Sequence, residues 1–415
     1  MTAPDILSPE FAEDPYPKYR ILRDEYPVHY HEGMQSFLVS RYEDCVAIFK
    51  DPVYSSQNYA WQLEPVHGRT ILQMEGREHA THRALLNPFF RGKGLDRFMP
   101  VIHHNAAELI ERTAESAAAE LADELEGLAE VDLVDSFTTR FPINVIVDML
   151  GLPKSDHAQF HRWYNSIMAF LSNLTQDPDV MADGLRTKEE FEEYMLPIVR
   201  ERRANPGDDL LSRLCAAEVD GEQMSDEEIK AFCSLLLVAG GETTDKALAS
   251  AVKNLLEHPD ILAQVRDDRS LLPAINAETL RYSPPVHMIM REPLENVTLR
   301  GVEIPAGATV TVLIGSANRD ERQYRDPDTF DPHRDDLDVD RAWSAGANHL
   351  AFILGRHFCV GAMLAKAETE VGLNLLLDRF PEMQLPEGVS IKEEGVFTRA
   401  PASLPVALRP AVPAA

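Results

Sequence analysis

One stretch near the C-terminal end of the chain combines residues that could hold a reactive sulfur. In the segment FILGRHFCVG, Gly355, His357, Cys359 and Gly361 occupy alternate positions, and the apolar spacing that follows predicts a helix. A cysteine at a helix N-terminus lies near unpaired N–H groups and the positive end of the helix dipole, which favour the thiolate. Glycines allow a tight loop that approaches a ligand closely. Cys359 is therefore the strongest candidate for chemistry.

A single thiolate in such a loop has two interpretations. It could be a nucleophile with His357 as its base, although side chains two residues apart in a loop tend to point apart. It could instead be the axial ligand of a large planar metallocofactor. Cys45, Cys215 and Cys233 have no comparable loop and no CxxC spacing, so we interpret them as small buried side chains. We expect neither a disulfide framework nor a structural zinc site.

Composition narrows the class of protein. The chain has 415 residues, 44% of them hydrophobic, and a net charge of −28. Such a charge repels nucleic acid and anionic membranes, and we predict that the protein binds neither. The first thirty residues contain no apolar run long enough for a signal peptide or a membrane span. With its scattered cysteines, the sequence predicts a cytoplasmic protein, which we expect to be a monomer.

The fold class is predicted to be mainly α with small β-sheets (α+β). Apolar residues recur at helical spacing over much of the middle, and the segment 103–130 is predicted to be one amphipathic surface helix. Strand-like alternation is confined to three stretches, 26–40, 297–315 and 395–410. In the second stretch, Gly301 and the Pro305–Gly307 turn separate alternating runs, which predicts a small hairpin sheet.

A long helix is predicted from Ser225 to Asp260. Ser225 and Glu228 form a capping box at its start, and Pro259 closes its end. Its centre is apolar on all sides, yet Gly240 and Gly241 stand there together, at a cost of up to roughly 2 kcal/mol relative to two alanines. Either the glycines are a packing site, or they form a groove for a flat group, where a threonine hydroxyl bonds back and opens the helix.

These features together resemble the cytochrome P450 superfamily. The cysteine loop matches the family's F-x-x-G-x-[HR]-x-C-x-G pattern, although Ile353 replaces a glycine common after the phenylalanine, so we expect a change in the turn under the sulfur. The segment 239–244, AGGETT, resembles the oxygen-activating [AG]-G-x-[DE]-T-[TS], and ETLR at 278–281 resembles E-x-x-R. The resemblance covers residues 10 to 410. It implies a single P450 domain over residues 1–415, with a helix-rich lobe and a smaller β-rich lobe.

The resemblance also implies roles for particular residues. The cofactor would be haem b (iron protoporphyrin IX), with Cys359 as the iron ligand. Thr243 and Glu242 would be the catalytic pair, one activating oxygen and the other supplying protons. The residues implied at the haem carboxylates are His79, Arg83, Arg291 and His357; those implied elsewhere around the haem are Phe352, Gly355, Gly361, Ala239 and Gly240. Glu278, Arg281 and Arg334 would be structural. Substrate contacts would come from Trp61, Leu236, Val286, Ile289 and Phe397.

The implied activity is that of a monooxygenase. It would insert one oxygen atom from O2 into a lipophilic small organic molecule, by hydroxylation or epoxidation. The sequence has no G-x-G-x-x-G motif after a strand and no four-cysteine cluster, so we expect no fused flavin or ferredoxin domain. Electrons would then come from a separate ferredoxin and its reductase. The alternatives are a peroxygenase or other haem-thiolate enzyme, and a haem-based sensor without turnover; the Glu242–Thr243 pair favours the monooxygenase.

A basic segment is the candidate docking site for an acidic ferredoxin. Residues 77–97 carry five Lys or Arg against two Asp or Glu, in a chain that is otherwise strongly acidic. The residues predicted to form this patch are Arg77, Arg91, Lys93, Arg97 and Arg356. The alternative is that these charges serve only the haem and local ion pairs.

Overall fold

The computed structural model describes residues 2–121, 127–173 and 177–411. The chain forms two compact units. The first comprises Met1–Tyr54, His103–Thr139 and Thr243–Ala415, and the second comprises Ser55–Ile102 and Arg140–Glu242. Among the described residues, no helix has the length and apolar character needed to cross a membrane.

Helices make up most of both units. Their bounds are α1 Pro9–Glu13, α2 Tyr16–Glu25, α3 Tyr42–Lys50, α4 Tyr59–His67, α5 Gly76–Leu86, α6 Gly92–Asp96, α7 Met99–Glu120, α8 Arg140–Met149, α9 His157–Leu171, α10 Pro178–Ala204, α11 Leu210–Ala216, α12 Asp226–Glu257, α13 Pro259–Asp267, α14 Leu272–Tyr282, α15 Ile314–Ala317 and α16 Ala362–Arg379.

The strands are short. Their bounds are β1 Val28–His31, β2 Ser36–Val39, β3 Tyr54–Ser55, β4 Ala129–Asp132, β5 Met288–Pro293, β6 Val297–Leu299, β7 Val302–Ile304, β8 Thr309–Leu313, β9 Glu382–Gln384, β10 Glu393–Glu394, β11 Ala400–Pro401 and β12 Pro405–Arg409. The largest sheet has the order β1-β2-β8-β5-β3. Mainly helical structure with small sheets confirms the predicted fold class.

All three strand-like stretches contain strands. In the second, β6 and β7 form the predicted antiparallel hairpin, with Val297 opposite Ile304, and Gly301 adopts φ +80° in its turn. The third run of that stretch, β8, does not extend the hairpin. It pairs in parallel with β2 and antiparallel with β5, because its alternate residues complete the buried face of the larger sheet.

The long helix forms as predicted. α12 has 32 residues, which corresponds to about 48 Å. The Ser225 hydroxyl accepts from the Glu228 N–H at 3.2 Å, and the Glu228 carboxylate accepts from the Ser225 N–H at 2.7 Å, so the capping box is present. Helical structure continues through Gly240 and Gly241 without interruption. The helix is therefore not broken at the glycines, and local opening by a threonine hydroxyl stays a prediction.

The predicted surface helix over residues 103–130 is wrong at its C-terminal end. α7 ends at Glu120, and Ala129–Asp132 is a strand that pairs with Pro405–Arg409. Pairing in the three-stranded sheet outweighs the helical spacing of the local sequence. Residues 122–126 of the predicted helix lie outside the described residues.

Candidate active site

The cysteine loop closes on itself through backbone hydrogen bonds. A short 3-10 turn, Gly355–His357, precedes Cys359. The Cys359 N–H donates to the Phe352 carbonyl at 3.1 Å. Gly361 is the N-cap of α16, and a Cβ on it would lie 3.9 Å from the Cys359 sulfur. The loop therefore places the cysteine two residues before the cap of a helix, where N–H groups and the helix dipole favour a thiolate.

Two residues of this loop have left-handed backbone conformations. Gly355 has φ +73°, and a Cβ there would collide with the Phe49 carbonyl, so the position requires glycine. Ile353 has φ +52°, a region that β-branched side chains rarely enter. The departure from the family pattern noted in the sequence thus coincides with a strained isoleucine in the cysteine loop.

A pair of substitutions tests this strain. We expect Ile353→Gly to be more stable than Ile353→Ala by about 1 kcal/mol, because left-handed backbone costs a non-glycine residue roughly 1–2 kcal/mol. Within an ordinary helix the alanine variant is the more stable one, by about 1 kcal/mol. Lys366 lies in α16, so the comparison of Lys366→Ala with Lys366→Gly is the control. Denaturant unfolding measures the free energy of unfolding of all four variants. If Ile353→Ala is more stable than Ile353→Gly, the backbone at position 353 is not strained.

Cys359 differs from the other three cysteines in its environment. Cys45 and Cys233 are fully buried, and burial raises the pKa of each thiol well above its ordinary value. Burial also raises the pKa of Cys215. These three are neutral thiols. Cys359 is partly exposed, so it is the cysteine that a ligand can reach.

Cationic and aromatic residues accompany the loop in the same unit. Arg291, on β5, is buried; it donates to the Met290 carbonyl at 2.7 Å and lies 5.6 Å from the centre of the Phe49 ring. Arg356 donates to the Tyr54 carbonyl at 2.8 Å. His357, which ends the 3-10 turn, and Phe352 are partly buried. A partly exposed cysteine near a helix start, with a buried arginine in the same unit, fits a haem with anionic side chains.

The middle of α12 has one accessible face. Between Ile229 and Leu256 every residue is buried except Ala239, Gly240, Thr243 and Lys246. These positions fall on one side of the helix at 3.6 residues per turn, and Leu236, which is buried, lies on the same side one turn earlier. The predicted oxygen-activating segment therefore presents Thr243 to accessible space.

The two central glycines admit neighbouring helices. A Cβ on Gly240 would lie 2.8 Å from Ile146, and one on Gly241 would lie 3.0 Å from Ile143 and 3.5 Å from the Tyr164 ring. Both isoleucines belong to α8, and Tyr164 belongs to α9. Of the two interpretations of the glycines, the packing site is the one that these distances favour.

Glu242 is held from outside its own helix. Its carboxylate accepts a hydrogen bond from the Tyr164 hydroxyl, and both side chains are buried. Sequence reasoning missed Tyr164, which lies 78 residues away. Near Tyr164, the sequence shows apolar residues at helical spacing, and three of them, Phe160, Trp163 and Ile167, are buried on the same helix. This spacing predicts a packed helix but not a partner for Glu242.

The two residues after Thr243 are anchored within the first unit. The Thr244 hydroxyl donates to the Glu368 carboxyl group at 3.2 Å. Asp245 accepts from the Thr138 hydroxyl at 2.6 Å and from the Thr139 hydroxyl at 2.9 Å. Glu368 is almost fully buried, and burial raises its pKa to about 8. None of these contacts could be predicted from the sequence.

The predicted structural residues come together in the first unit. Glu278 and Arg281 are completely buried, and Arg281 donates Nε at 2.7 Å and Nη2 at 2.6 Å to the two carboxylate oxygens. Arg334 adds a third cation, with Nε 3.1 Å from Glu278. This bidentate pair with a second arginine is the arrangement that the resemblance implies.

The other predicted site residues are distributed between the two units. In the second unit, His79 is buried and Arg83 is partly buried, one turn apart on α5. In the first unit, a β-bridge joins Val286 to Thr398, which brings Val286 close to Phe397, and Ile289 follows on β5. Trp61, on α4 of the second unit, is 66% exposed.

His287, next to the predicted substrate residues, is a neutral packing residue. It contacts the Tyr19 hydroxyl at 3.2 Å, and burial lowers its pKa to about 3.

The predicted docking residues of the second unit are exposed. Arg77 lies 3.2 Å from Glu222, and Arg97 lies 3.9 Å from Asp208. Exposed pairs of this kind contribute about 0–1 kcal/mol, so their arginines can exchange partners at little cost. Local pairing therefore occurs without removing the basic character of the segment.

Comparison with known proteins agrees with this geometry. A family model for cytochrome P450 matches residues 16–402. Pulcherriminic acid synthase of Bacillus subtilis (strain 168) is 39% identical over 404 residues, covering 97% of each chain. Cyclomarin C epoxidase CymV of Salinispora arenicola is 34% identical over 374 residues, covering 88% of this chain and 89% of that protein.

Solved structures show the same relationship. Cytochrome P450 CYP109Q5 from Chondromyces apiculatus is 33% identical, superposes with a TM-score of 0.84, and is matched over 99% of this chain and all of its own. Membership of this family implies a protoporphyrin IX haem as the cofactor. The chain belongs to the cytochrome P450 family, and it is a haem-dependent P450 monooxygenase.

Proposed function

We propose that this protein hydroxylates or epoxidises a lipophilic small organic molecule, using O2 and electrons from a separate ferredoxin and its reductase. The observation that supports this most directly is the accessible face of α12, where Thr243 is presented beside the buried acid Glu242. An acid and a hydroxyl at this place suit the delivery of protons to bound oxygen. One relative is named an epoxidase, which supports keeping both reaction types.

Each group of residues has a distinct part in this proposal. Bound haem, with Cys359 as its ligand, supplies the oxygen chemistry. His79, Arg83, Arg291 and His357 bind the haem carboxylates, and Phe352, Gly355, Gly361, Ala239 and Gly240 shape its surroundings. The Thr243 hydroxyl would serve as a hydrogen-bond donor on the accessible face of α12, and the Glu242 carboxyl group would hold the proton to be delivered. Leu236, Val286, Ile289, Phe397 and Trp61 form the apolar surface for substrate.

Removing the Thr243 hydroxyl tests the oxygen-activating role. We expect Thr243→Ala to lower product formation roughly 10-fold or more, within the range that a positioned proton-transfer group contributes. Electrons should then appear as hydrogen peroxide, which a peroxide assay beside oxygen consumption measures. Thr243→Ser keeps the hydroxyl and should retain coupling. Equal peroxide release by the parent and Thr243→Ala contradicts the proposal and favours a peroxygenase or a sensor.

Reversing two exposed charges tests the ferredoxin site. We expect Arg91→Glu with Lys93→Glu to weaken ferredoxin-dependent reduction about 10-fold or more at low salt, because charge complementarity governs association rates. The haem spectrum should not change. Lys154→Glu with Arg200→Glu makes the same change in net charge elsewhere in the second unit, and should have a much smaller effect. If both double variants slow ferredoxin-dependent reduction equally, the proposed docking patch, which also includes Arg77, Arg97 and Arg356, is excluded.

The cysteines bear on the cellular location of the protein. The three buried cysteines, Cys45, Cys215 and Cys233, are free thiols, which suits a reducing compartment. We propose that the protein acts in the cytoplasm as a monomer, and sedimentation of the purified holoenzyme tests its oligomeric state.

A further inference from the structure

The acid of the catalytic pair has a partner on a different helix. Tyr164, on α9, donates its hydroxyl hydrogen to Oε2 of Glu242 on α12. Tyr164 is 5% exposed and Glu242 is 8% exposed. A hydrogen bond between buried groups is shielded from exchange with water, so it restrains the carboxylate more strongly than the same contact at a surface.

The Tyr164 ring packs against the backbone of α12 at Gly241. A Cβ at this position would lie 3.5 Å from the Tyr164 ring and 3.0 Å from Ile143. The ring therefore passes directly over the backbone of α12, one residue before the carboxylate that it holds. Of the two contacts, the one to Ile143 is too close for an added Cβ, whereas 3.5 Å from the Tyr164 ring is an ordinary van der Waals distance.

Glu242 stands at the edge of the accessible face of α12. With about 100° between successive residues, Glu242 projects about 100° from Thr243 and about 60° from Ala239. A rotation about the side-chain bonds is therefore enough to move the carboxylate between the flank of the helix and its accessible face. An unrestrained glutamate would sample many such rotamers.

A tyrosine hydroxyl restrains this carboxyl group through a hydrogen bond and not through an ion pair. An ordinary phenol has a pKa near 10, so it donates a hydrogen bond and keeps its own proton at neutral pH. Because Tyr164 is itself buried, it has little contact with solvent from which it could be reprotonated. Its chemistry therefore suits holding the acid rather than passing protons to it.

We infer that Tyr164 is a positioning residue for Glu242: its hydroxyl fixes the buried carboxylate at the flank of the accessible face, where the acid can serve Thr243. This rests on the proposed role of Glu242 as proton donor. It identifies in this chain a determinant of coupling that lies on α9, outside the segment 239–244 that carries the acid and the alcohol.

A double-mutant cycle tests the inference with the holoenzyme, its ferredoxin system and a substrate found by spectral screening. We expect Glu242→Gln to lower coupled turnover about 100-fold and Tyr164→Phe about 10-fold, because acid catalysis depends on placement as well as on protonation state. Tyr164→Phe should also increase the solvent deuterium isotope effect on turnover. The double variant should be no slower than Glu242→Gln, since the hydroxyl acts through the carboxylate.

Thermal unfolding supplies a readout that does not depend on activity. If the two groups share one buried hydrogen bond, the decreases in Tm of the single variants should not add in the double variant. The matched control is Tyr194→Phe, which removes a tyrosine–carboxylate bond to Asp156 of 2.5 Å in the same unit. It should lower Tm in a similar way while turnover stays within about twofold of the parent, as expected for a surface-side contact.

The outcomes separate this inference from the proposed function. Tyr164→Phe with parental turnover and isotope effect, while Glu242→Gln is slow, overturns the positioning role alone. Turnover losses that multiply in the double variant overturn it too, because they show that Tyr164 acts elsewhere. Parental turnover in Glu242→Gln itself removes the proton-donor role, and with it the basis of the inference.

Discussion

Replacing Arg281 by methionine is expected to destabilise the protein by about 3–5 kcal/mol, the typical result of removing one partner of a buried ion pair. Glu278 and Arg281 are fully buried, so the carboxylate has no access to water once its bidentate partner is gone. Arg281 also donates to the carbonyls of Asn318, Pro327 and Thr329 at 2.8–3.1 Å. The substitution therefore removes the guanidinium group that serves several buried acceptors, in the polypeptide that leads to the cysteine loop.

Denaturant unfolding and haem retention measure this effect. Arg281→Lys keeps the charge but has no planar fork, so it should recover only part of the stability. Arg325→Met is the control, because Arg325 and Asp335 form a 3.0 Å pair in which both side chains are exposed, and such pairs contribute about 0–1 kcal/mol. A loss below about 1 kcal/mol in Arg281→Met would contradict the structural role of the pair.

Replacing Glu368 by glutamine is expected to change how stability depends on pH. Burial raises the Glu368 pKa from 4.5 to about 8, so the folded protein keeps this proton while the unfolded chain has lost it. Because the folded state holds this proton more tightly, the free energy of unfolding has its full contribution from Glu368 below pH 4.5. That contribution decreases as the pH rises and is lost near pH 8. At 1.36 kcal/mol per unit, the total is about 5 kcal/mol.

Glutamine is neutral at every pH, so Glu368→Gln should remove this slope. The variant should resemble the parent near pH 5 and become more stable than it by several kcal/mol near pH 8.5. Subtracting the unfolding free energies of variant and parent cancels the other titrating groups. Glu370→Gln, on the same helix but partly exposed, is the control and should leave the difference flat. A flat difference for Glu368→Gln as well would show that Glu368 is ionised in the fold.

Features fixed by neighbouring residues could be predicted from the sequence. The capping box of α12 depends on residues three apart, and the cysteine loop depends on glycines within ten residues. Both are visible as spacing, and both occur in the structure. The glutamate–arginine pair at 278 and 281 was equally local, and only its third member, Arg334, required the family pattern to be found.

Contacts between distant residues could not be predicted in this way. Tyr164 meets Glu242 across 78 residues, and Thr244 meets Glu368 across 124 residues, and nothing in the local sequence marks either partner. The partners of the two central glycines of α12 could not be predicted either. Two adjacent glycines are compatible with a groove for a cofactor and with close packing of isoleucines, and only the neighbouring helices decide between the two.

Strained backbone is also invisible in a single sequence. Ile353 was recognisable as a departure from the family pattern, but its left-handed conformation follows from closure of the loop between Leu350 and Cys359. Conversely, the end of α7 was misjudged because alanine and glutamate continue to favour a helix up to Glu130. The sheet partner that makes Ala129–Asp132 a strand lies more than 270 residues further along the chain.

The most direct test of the central claim is the absorption spectrum of the reduced protein with and without carbon monoxide. Haem ligated by the Cys359 thiolate predicts a strongly red-shifted Soret band, which Cys359→Ser should abolish and Cys233→Ser should retain. A Soret band at the position of histidine-ligated haem, or no haem band at all in the purified protein, would contradict the assignment of Cys359 as the iron ligand.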